Sequence, residues 1–155
     1  MYAAWTVKHK PSSLSEVVGN SQAIRKLSQW VRSWERRTPK KRAAFLHGPP
    51  GVGKTVAVEA LANDWGMELV ERNASDHRTA DAVERFAGLA SQYGTLHGHR
   101  RLILLDEMDG ITGRADRGGV RAVIKTVKEA RSPVLLIANN AYDPRFSTLR
   151  RYCVL

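Results

Sequence analysis

Eight consecutive residues, Gly48-Pro-Pro-Gly-Val-Gly-Lys-Thr55, have the types and spacing of a phosphate-binding loop. The glycines let the main chain turn so that its N–H groups converge on phosphate oxygens, and a helix that follows adds free N–H groups at its start. Lys54 would reach the β- and γ-phosphates, and Thr55 would give its hydroxyl to Mg²⁺. The alternative is a tight glycine-rich turn with no ligand. An apolar run before the loop and a helical pattern after it favour a site for ATP with Mg²⁺.

Two acidic residues follow another apolar run, Leu102–Leu105, and are suited to act on the same phosphates. An acid at the carboxyl end of a buried strand lies in the crevice where α/β sheets bind ligands. Asp106 would orient Mg²⁺ directly or through water, and Glu107 would polarise the water that attacks the γ-phosphate. Alone, two such acids could equally cap a helix or face solvent, but with the phosphate loop they indicate hydrolysis. Asp109 is a weaker candidate for the same site, and the alternative is that it only caps the following turn.

A side-chain amide follows the apolar run Val134–Ala138, at either Asn139 or Asn140. An amide at the end of a neighbouring strand can hydrogen-bond the γ-phosphate or the attacking water, although Asn often simply starts a turn. On spacing alone, both residues remain candidates.

Apolar runs and helical patterns alternate along the chain. The strands and helices that they predict must position the candidate site residues. The apolar runs show no polar alternation, which is typical of a parallel sheet covered on both faces, so the sequence predicts an α/β fold. The predicted strands are Ala43–His47, Met67–Arg72, Leu102–Leu105, Val134–Ala138 and Tyr152–Leu155, and Asn73–Arg78 is a predicted polar turn. The predicted helices run from an N-cap at Ser21 through Trp34, and over Lys54–Trp65, Thr79–Ser91 and Val120–Ala130.

Composition narrows the class of protein. No apolar run approaches the roughly 20 residues that cross a bilayer, and Met1–Lys10 has no signal-peptide core. A single cysteine, Cys153, excludes an internal disulfide and fits a reducing cytoplasm, and its apolar neighbours predict a buried thiol. The net charge is +10, and ten Lys and Arg against two acids precede Gly48. Such a positive field attracts phosphate backbones, although a solvated basic face is the simpler explanation.

These motifs, in this order, resemble the AAA+ ATPase core. The sequence is similar over nearly its whole length to the N-terminal ATPase domain of archaeal replication factor C large subunits, which are sliding-clamp loaders. The segments that carry this resemblance are Trp5-Thr-Val-Lys-His-Lys-Pro11, Val17-Val-Gly-Asn20, Gly48–Thr55, Asn73-Ala-Ser-Asp76, Leu104-Leu-Asp-Glu-Met-Asp109 and Gly113-Arg-Ala-Asp-Arg-Gly-Gly119.

The resemblance implies a three-layer P-loop NTPase fold over residues 1–155, with a five-stranded parallel sheet. Residues 1–19 would form an arm near the adenine, and Asn139 rather than Asn140 would be the sensor-1 residue. Glu107, Lys54 and Asn139 would act in catalysis, and Thr55 and Asp106 would bind the metal. The residues expected to bind ATP are Val17, Val18, Gly48, Pro49, Pro50, Gly51, Val52, Gly53, Lys54, Thr55, Val56 and Asn139.

The resemblance also implies partners, in a cytoplasmic, nucleoid-associated setting without a membrane. Family members form a pentamer with small subunits, open the sliding clamp and load it onto primer–template DNA. The helix containing Val83 and Phe86, with the segment Gly88–Thr95, would face the clamp. Basic residues on inner helices and loops would follow the DNA backbone independently of base sequence. The candidates are Arg78, Arg85, Arg114, Arg117 and Arg121.

The sequence departs from the family pattern at three points. Val7-Lys8-His9-Lys10-Pro11 replaces Glu-Lys-Tyr-Arg-Pro, which leaves the packing around the adenine open. Arg151-Tyr152-Cys153 stands where small subunits have Ser-Arg-Cys, so we expect this chain to receive an arginine finger rather than to give one. The family continues into a helical lid and a collar, which these 155 residues do not include, so we expect little hydrolysis by the isolated chain.

Three other functions remain open. One is a different DNA-acting AAA+ ATPase, which Gly113–Gly119 disfavours. Another is a scaffold subunit that binds ATP only to set its shape, which the presence of both Asp106 and Glu107 disfavours. The third is a basic nucleic-acid-binding module in which the nucleotide site is incidental.

Overall fold

A parallel β-sheet is the centre of the computed structural model, which describes residues 10–17, 19–49, 53–74, 86, 88, 100–111 and 117–155. Its strands are β1 (Ala43–His47), β2 (Glu68–Asn73), β3 (Arg101–Asp106), β4 (Val134–Ala138) and β5 (Cys153–Val154). They form one sheet in the order β2-β3-β4-β1-β5, and every neighbouring pair is parallel. The predicted five-stranded parallel sheet is therefore confirmed.

Three of the described helices match predicted ones, although α3 begins before its predicted start at Val120, and α4 was not predicted. They are α1 (Ser21–Arg36), α2 (Lys54–Asp64), α3 (Arg117–Glu129) and the single turn α4 (Ser147–Arg150), with 3-10 turns at Leu14–Glu16, Met108–Gly110 and Pro144–Phe146. Asn20, not Ser21, caps α1, because its side-chain oxygen accepts a hydrogen bond from Ala23 N at 3.1 Å. Phe86 and Gly88 are helical, and Phe86 is buried, but the rest of the predicted helix Thr79–Ser91 lies outside the described residues. No helix in the described ranges is long and apolar enough to span a bilayer.

Two apolar cores, one on each face of the sheet, make the molecule three-layered. Successive residues of a strand point to opposite faces, so Leu104 packs with α1 and α2 whereas Leu105 packs with α3. Burial of each such leucine contributes about 1.5–3 kcal/mol, which explains why the strands are apolar throughout. Cys153 is buried as predicted, and this burial raises the pKa of its thiol to about 12.

Strand order decides which side chains meet at the carboxyl edge of the sheet. β4 lies between β1 and β3, so the strand that enters the phosphate loop and the strand that ends in acidic residues are both its neighbours. The parallel direction brings the carboxyl ends of all three strands to one edge, where α/β sheets bind ligands. β2 reaches the same edge, since it extends to Asn73, which the sequence had assigned to a turn.

Candidate active site

A cavity of about 500 Å³ opens at the carboxyl ends of β3 and β4, beside the start of α2. This volume lies within the range of small-molecule sites, about 300–1,000 Å³. The cavity thus brings together the residues that the sequence predicted from three separate motifs. Its lining residues are Gly53, Lys54, Thr55, Val56, Asp106, Glu107, Asp109, Gly110, Ile137, Ala138 and Asn139.

The segment between β1 and α2 is the predicted phosphate loop, and the Lys54 ammonium lies against its first two residues, Gly48 and Pro49. Gly53 has φ +80°, a left-handed conformation that strains residues with a side chain, and it immediately precedes the first residue of α2. Lys54 Nζ donates hydrogen bonds to the carbonyl oxygens of Gly48 (2.7 Å) and Pro49 (2.8 Å). Lys54 is also the first residue of α2, and the N–H groups at the start of a helix favour a bound phosphate. Pro50, Gly51 and Val52 lie outside the described residues.

A hydroxyl and a carboxylate meet at the floor of the cavity. Thr55 Oγ1 donates a hydrogen bond to Asp106 Oδ2 at 2.9 Å. Hard oxygen donors of this kind suit Mg²⁺, which proteins commonly bind through one or two carboxylates together with substrate phosphates. Within the described ranges, no group of three or more His, Cys, Asp or Glu side chains is placed to hold a metal ion by itself. The pair therefore fits Mg²⁺ delivered with a nucleotide.

Glu107 is held in an unusual backbone conformation next to this pair. Its φ of 54° is the one left-handed value of a non-glycine residue in the described part of the chain, and such a conformation costs about 1–3 kcal/mol. Its N–H donates to Asp106 Oδ1 at 2.6 Å. Both oxygens of Asp106 are thus engaged, one by Thr55 and one by Glu107. Strained backbone of this kind is common at functional sites.

Asn73 contacts the side chain of Glu107, a contact that the sequence analysis missed. Asn73 Nδ2 donates to Glu107 Oε2 at 2.8 Å, and the register of β2 against β3 pairs Asn73 with Asp106. The signal that could have found it is the polar end of β2 at the same level as the polar end of β3. Asn73 belongs to one of the segments on which the family resemblance rests.

The negative charge of Asp106 also acts beyond its hydrogen bonds. The pKa of Glu71 on β2 is raised from its usual value of 4.5, mainly by burial and then by the charges of Asp106 and Glu59, while Lys10 lowers it. The carboxylates of Asp106 on β3 and Glu59 on α2 therefore both repel the carboxylate of Glu71 on β2. A cation near Asp106 would relieve this repulsion.

The structure separates the two candidate amides. Asn139 lines the cavity, whereas the Asn140 side-chain oxygen accepts from Tyr142 N at 3.0 Å and starts the next turn. Asn139 also accepts a hydrogen bond from Gly48 N at 3.2 Å through its main-chain oxygen. Asp109 does more than cap a turn, because its carboxylate accepts from Asn139 N at 2.6 Å and from Asn140 N at 3.4 Å.

The N-terminal arm packs along α2. Lys10 forms an ion pair with Glu59, and Leu14 N donates to Asp64 Oδ2 at 2.9 Å. Val17, predicted near the adenine, is half-buried against the core that contains α1 and α2 and is not among the residues that line the cavity. Val18 lies outside the described residues, so the adenine contacts stay a prediction.

The predicted DNA-binding arginines are only partly described. Arg78, Arg85 and Arg114 lie outside the described residues, and of Arg117 the backbone alone is described, as the first residue of α3. Arg121 is exposed on α3, and Lys125 and Lys128 are exposed at the positions four and seven residues later. This spacing puts the three cations on one helical face.

Comparison with known proteins gives one family. The model of the ATPase family associated with various cellular activities (AAA) matches residues 44–152. The chain is 45% identical to the replication factor C large subunit of Methanosarcina acetivorans, over 97% of this chain and 24% of that protein. It is 50% identical to that of Halorubrum lacusprofundi, over 91% and 30%, and 49% identical to that of Halobacterium salinarum, over 96% and 31%. The chain spans about a quarter to a third of the length of these relatives.

Proposed function

This chain belongs to the ATPase family associated with various cellular activities, and from that premise we propose that it binds ATP with Mg²⁺ and hydrolyses it as the ATPase domain of a clamp-loader large subunit. The observation that supports this most is the contact between Thr55 and Asp106 at the floor of a cavity that also holds Lys54, Glu107 and Asn139. Two of the five side chains come from α2, two from the end of β3 and the residue after it, and one from the residue after β4, so only the folded chain assembles them.

Phosphate binding would replace hydrogen bonds within the protein by hydrogen bonds to the nucleotide. Lys54 Nζ would leave the carbonyl oxygens of Gly48 and Pro49 for β- and γ-phosphate oxygens, which bear more negative charge. Thr55 Oγ1 and Asp106 would hold Mg²⁺, which neutralises charge on the phosphates when it is bound. Asn139 would hydrogen-bond the γ-phosphate or the attacking water from the end of β4.

Glu107 would accept a proton from the attacking water, and its resting contact restrains it. Its carboxylate must turn from Asn73 Nδ2 towards the water, which breaks a 2.8 Å hydrogen bond. A hydrogen bond to a charged group contributes about 1.5–3 kcal/mol when it is sheltered, and less at an exposed side chain such as this one. The contact with Asn73 therefore stabilises a resting form of the site.

Completion of the site by a neighbouring subunit is supported at Tyr152. This residue occupies the position at which the small subunits of the family carry an arginine that reaches the neighbour's ATP. Tyr152 is half-buried, and Lys128 Nζ lies 5.4 Å from the centroid of its ring. A phenol packed in this way offers no cation to a neighbouring phosphate, so this chain would receive an arginine finger rather than donate one.

The proposed partners are clamp-loader small subunits, the sliding clamp and primer–template DNA. Relatives that are named replication factor C large subunit support all three. The exposed cations Arg121, Lys125 and Lys128 on α3 support contact with a DNA backbone, because phosphate contacts need positive charge but no base readout. In this assembly, ATP binding and hydrolysis would be coupled to opening and loading of the clamp.

A capture experiment tests this function. The chain and its Lys54→Ala variant are immobilised and offered small subunits and the sliding clamp, with and without Mg-ATP. We expect ATP-dependent capture by the parent chain and reduced capture by the variant. Hydrolysis by the chain alone should stay near background, since an arginine finger contributes about 10³–10⁵ in rate. Capture of neither partner would contradict the clamp-loader assignment, and robust hydrolysis by the lone chain that Glu107→Gln abolishes would contradict completion by a neighbour.

A nucleic-acid-binding module with an incidental nucleotide site is the second candidate function. The cationic face of α3 is the observation that favours it. Salt-dependent DNA binding by a parent chain that does not bind ATP, unchanged in Lys54→Ala, would support this candidate over the first.

A further inference from the structure

We propose that Asp109 is a positioning residue that fixes Asn139 against the γ-phosphate position by joining the end of β3 to the end of β4. This inference rests on the proposed ATP site. Asp109 lies in the 3-10 turn Met108–Gly110, which follows the acidic pair Asp106 and Glu107. Its carboxylate reaches across to the neighbouring strand, to residues 30 and 31 positions later in the chain.

The two oxygens of Asp109 contact two consecutive main-chain N–H groups. Oδ2 accepts from Asn139 N at 2.6 Å and Oδ1 from Asn140 N at 3.4 Å. Bonds from N–H to an ionised carboxylate are roughly twice as strong as bonds between neutral groups. A neutral side chain of the same size would therefore hold this segment less firmly.

The turn that contains Asp109 does not need its carboxylate. Gly110 N donates to Glu107 O at 2.9 Å, and Ile111 N donates to Met108 O at 3.1 Å. These two bonds close the turn without the Asp109 side chain, whose oxygens accept instead from Asn139 N and Asn140 N beyond the turn. A purely local capping role thus leaves the position of the Asp109 carboxylate unexplained.

Asn139 is held from its other side by the phosphate loop. Its main-chain oxygen accepts from Gly48 N at 3.2 Å, while its N–H donates to Asp109. The peptide groups on either side of the Asn139 Cα are thereby fixed, one to the loop that would bind the phosphates and one to the turn after the metal-binding acid. A side chain that reports the presence of a γ-phosphate needs such support, since functional groups must stay within about 0.5 Å of their working geometry.

A second link between the same two segments makes the proposal testable without unfolding the chain. Arg145 Nη1 donates to Ile111 O, and Asp143 orients Arg145 by accepting from its N (2.9 Å) and Nε (3.0 Å). This link does not touch the Asn139 N–H. Asp143→Asn is therefore a matched control, in which the same chemical change loosens the same region away from Asn139.

The experiment compares Asp109→Asn and Asp143→Asn in the whole chain, with Mg²⁺ present. Isothermal titration measures the affinity for ADP and for ADP with beryllium fluoride, a mimic of the γ-phosphate. The affinity ratio is the affinity for ADP with beryllium fluoride divided by the affinity for ADP alone. We expect Asp109→Asn to lower this ratio about tenfold and to change the ADP affinity less than about twofold. The ADP affinity should change little because ADP lacks the group that Asn139 would contact. Asp143→Asn should leave the ratio unchanged. Hydrogen exchange at the Asn139 and Asn140 amides should become faster in Asp109→Asn only.

Two results would overturn the proposal: an unchanged affinity ratio in Asp109→Asn, or an equal fall of the ratio in Asp143→Asn. The second would show a general loosening of the region instead of a specific support of Asn139. Failure of the parent chain to bind either nucleotide would instead contradict the proposed function. In that case, exchange at the Asn139 amide still decides whether Asp109 holds this segment.

Discussion

Replacement of Asp106 by Asn is predicted to change nucleotide affinity in opposite directions in the absence and in the presence of Mg²⁺. Asp106 engages both of its oxygens, one with Thr55 Oγ1 at 2.9 Å and one with Glu107 N at 2.6 Å. Asn has the same shape, and its amide can accept from Glu107 N while it donates to the Thr55 hydroxyl, which serves as donor or acceptor. Asp106→Asn should thus keep the local structure and remove only the charge.

The magnitude follows from that charge. A carboxylate about 5 Å from a phosphate charge, at an effective dielectric constant of about 20, repels it by about 3 kcal/mol. Screening at the open mouth of the cavity reduces this repulsion, so we expect Asp106→Asn to tighten nucleotide binding about tenfold when Mg²⁺ is absent. With Mg²⁺ present, the lost metal ligand should instead weaken binding by about 10- to 100-fold.

Fluorescence polarisation of a labelled ATP analogue, with Mg²⁺ or with EDTA, measures both affinities on the same samples. Thermal unfolding of the variant controls for loss of structure. A shift of affinity in the same direction under both conditions would refute the reasoning, because it would mean that Asp106 acts through the fold and not through its charge and its bond to the metal.

Other predictions concern Asn73, Cys153 and Glu71. Asn73→Ala should raise ATP hydrolysis in the assembled complex about two- to tenfold by releasing Glu107 from its resting contact; an unchanged steady-state rate would contradict this. Cys153, 1% exposed and with a pKa of about 12, should react with a thiol reagent at mildly alkaline pH no faster than the chain unfolds, and rapid labelling of folded protein would contradict its burial. Because burial and the charge of Asp106 raise the Glu71 pKa above 4.5, the folded chain binds more protons at Glu71 than the unfolded chain does, and the contribution of Glu71 to stability should fall as pH rises above 4.5. Glu71→Gln should flatten that fall in urea titrations, and an unaltered slope would exclude Glu71 as its source.

The strands and most of the site could be predicted from local sequence. Runs such as Val134–Ala138 are apolar throughout because both faces of the sheet are covered. Such a run therefore predicts a buried strand from the local sequence alone. The phosphate loop is equally local, since its glycines, Lys54 and Thr55 all lie within eight residues. The helix N-cap was misplaced by one residue because Asn20 and Ser21 are both good capping residues.

The contacts that the sequence did not predict depend on which strands are neighbours. Asn73 and Glu107 are 34 residues apart, and Asp109 and Asn139 are 30 apart. No periodicity within one element encodes such a pair, because the register of β2 on β3 and the place of β4 between β1 and β3 are set by packing of the whole domain. The choice between Asn139 and Asn140 has the same origin, since only the end of β4 in its sheet shows which amide lines the cavity.

Binding of Mg-ATP to the purified chain tests the central claim most directly. Isothermal titration of the parent chain should show one saturable site, and Lys54→Ala should bind at least about tenfold more weakly, since the ammonium group lies within the loop that would hold the phosphates. An absence of saturable binding, or binding that Lys54→Ala leaves unchanged, would contradict the assignment of Gly48–Thr55 as an ATP site.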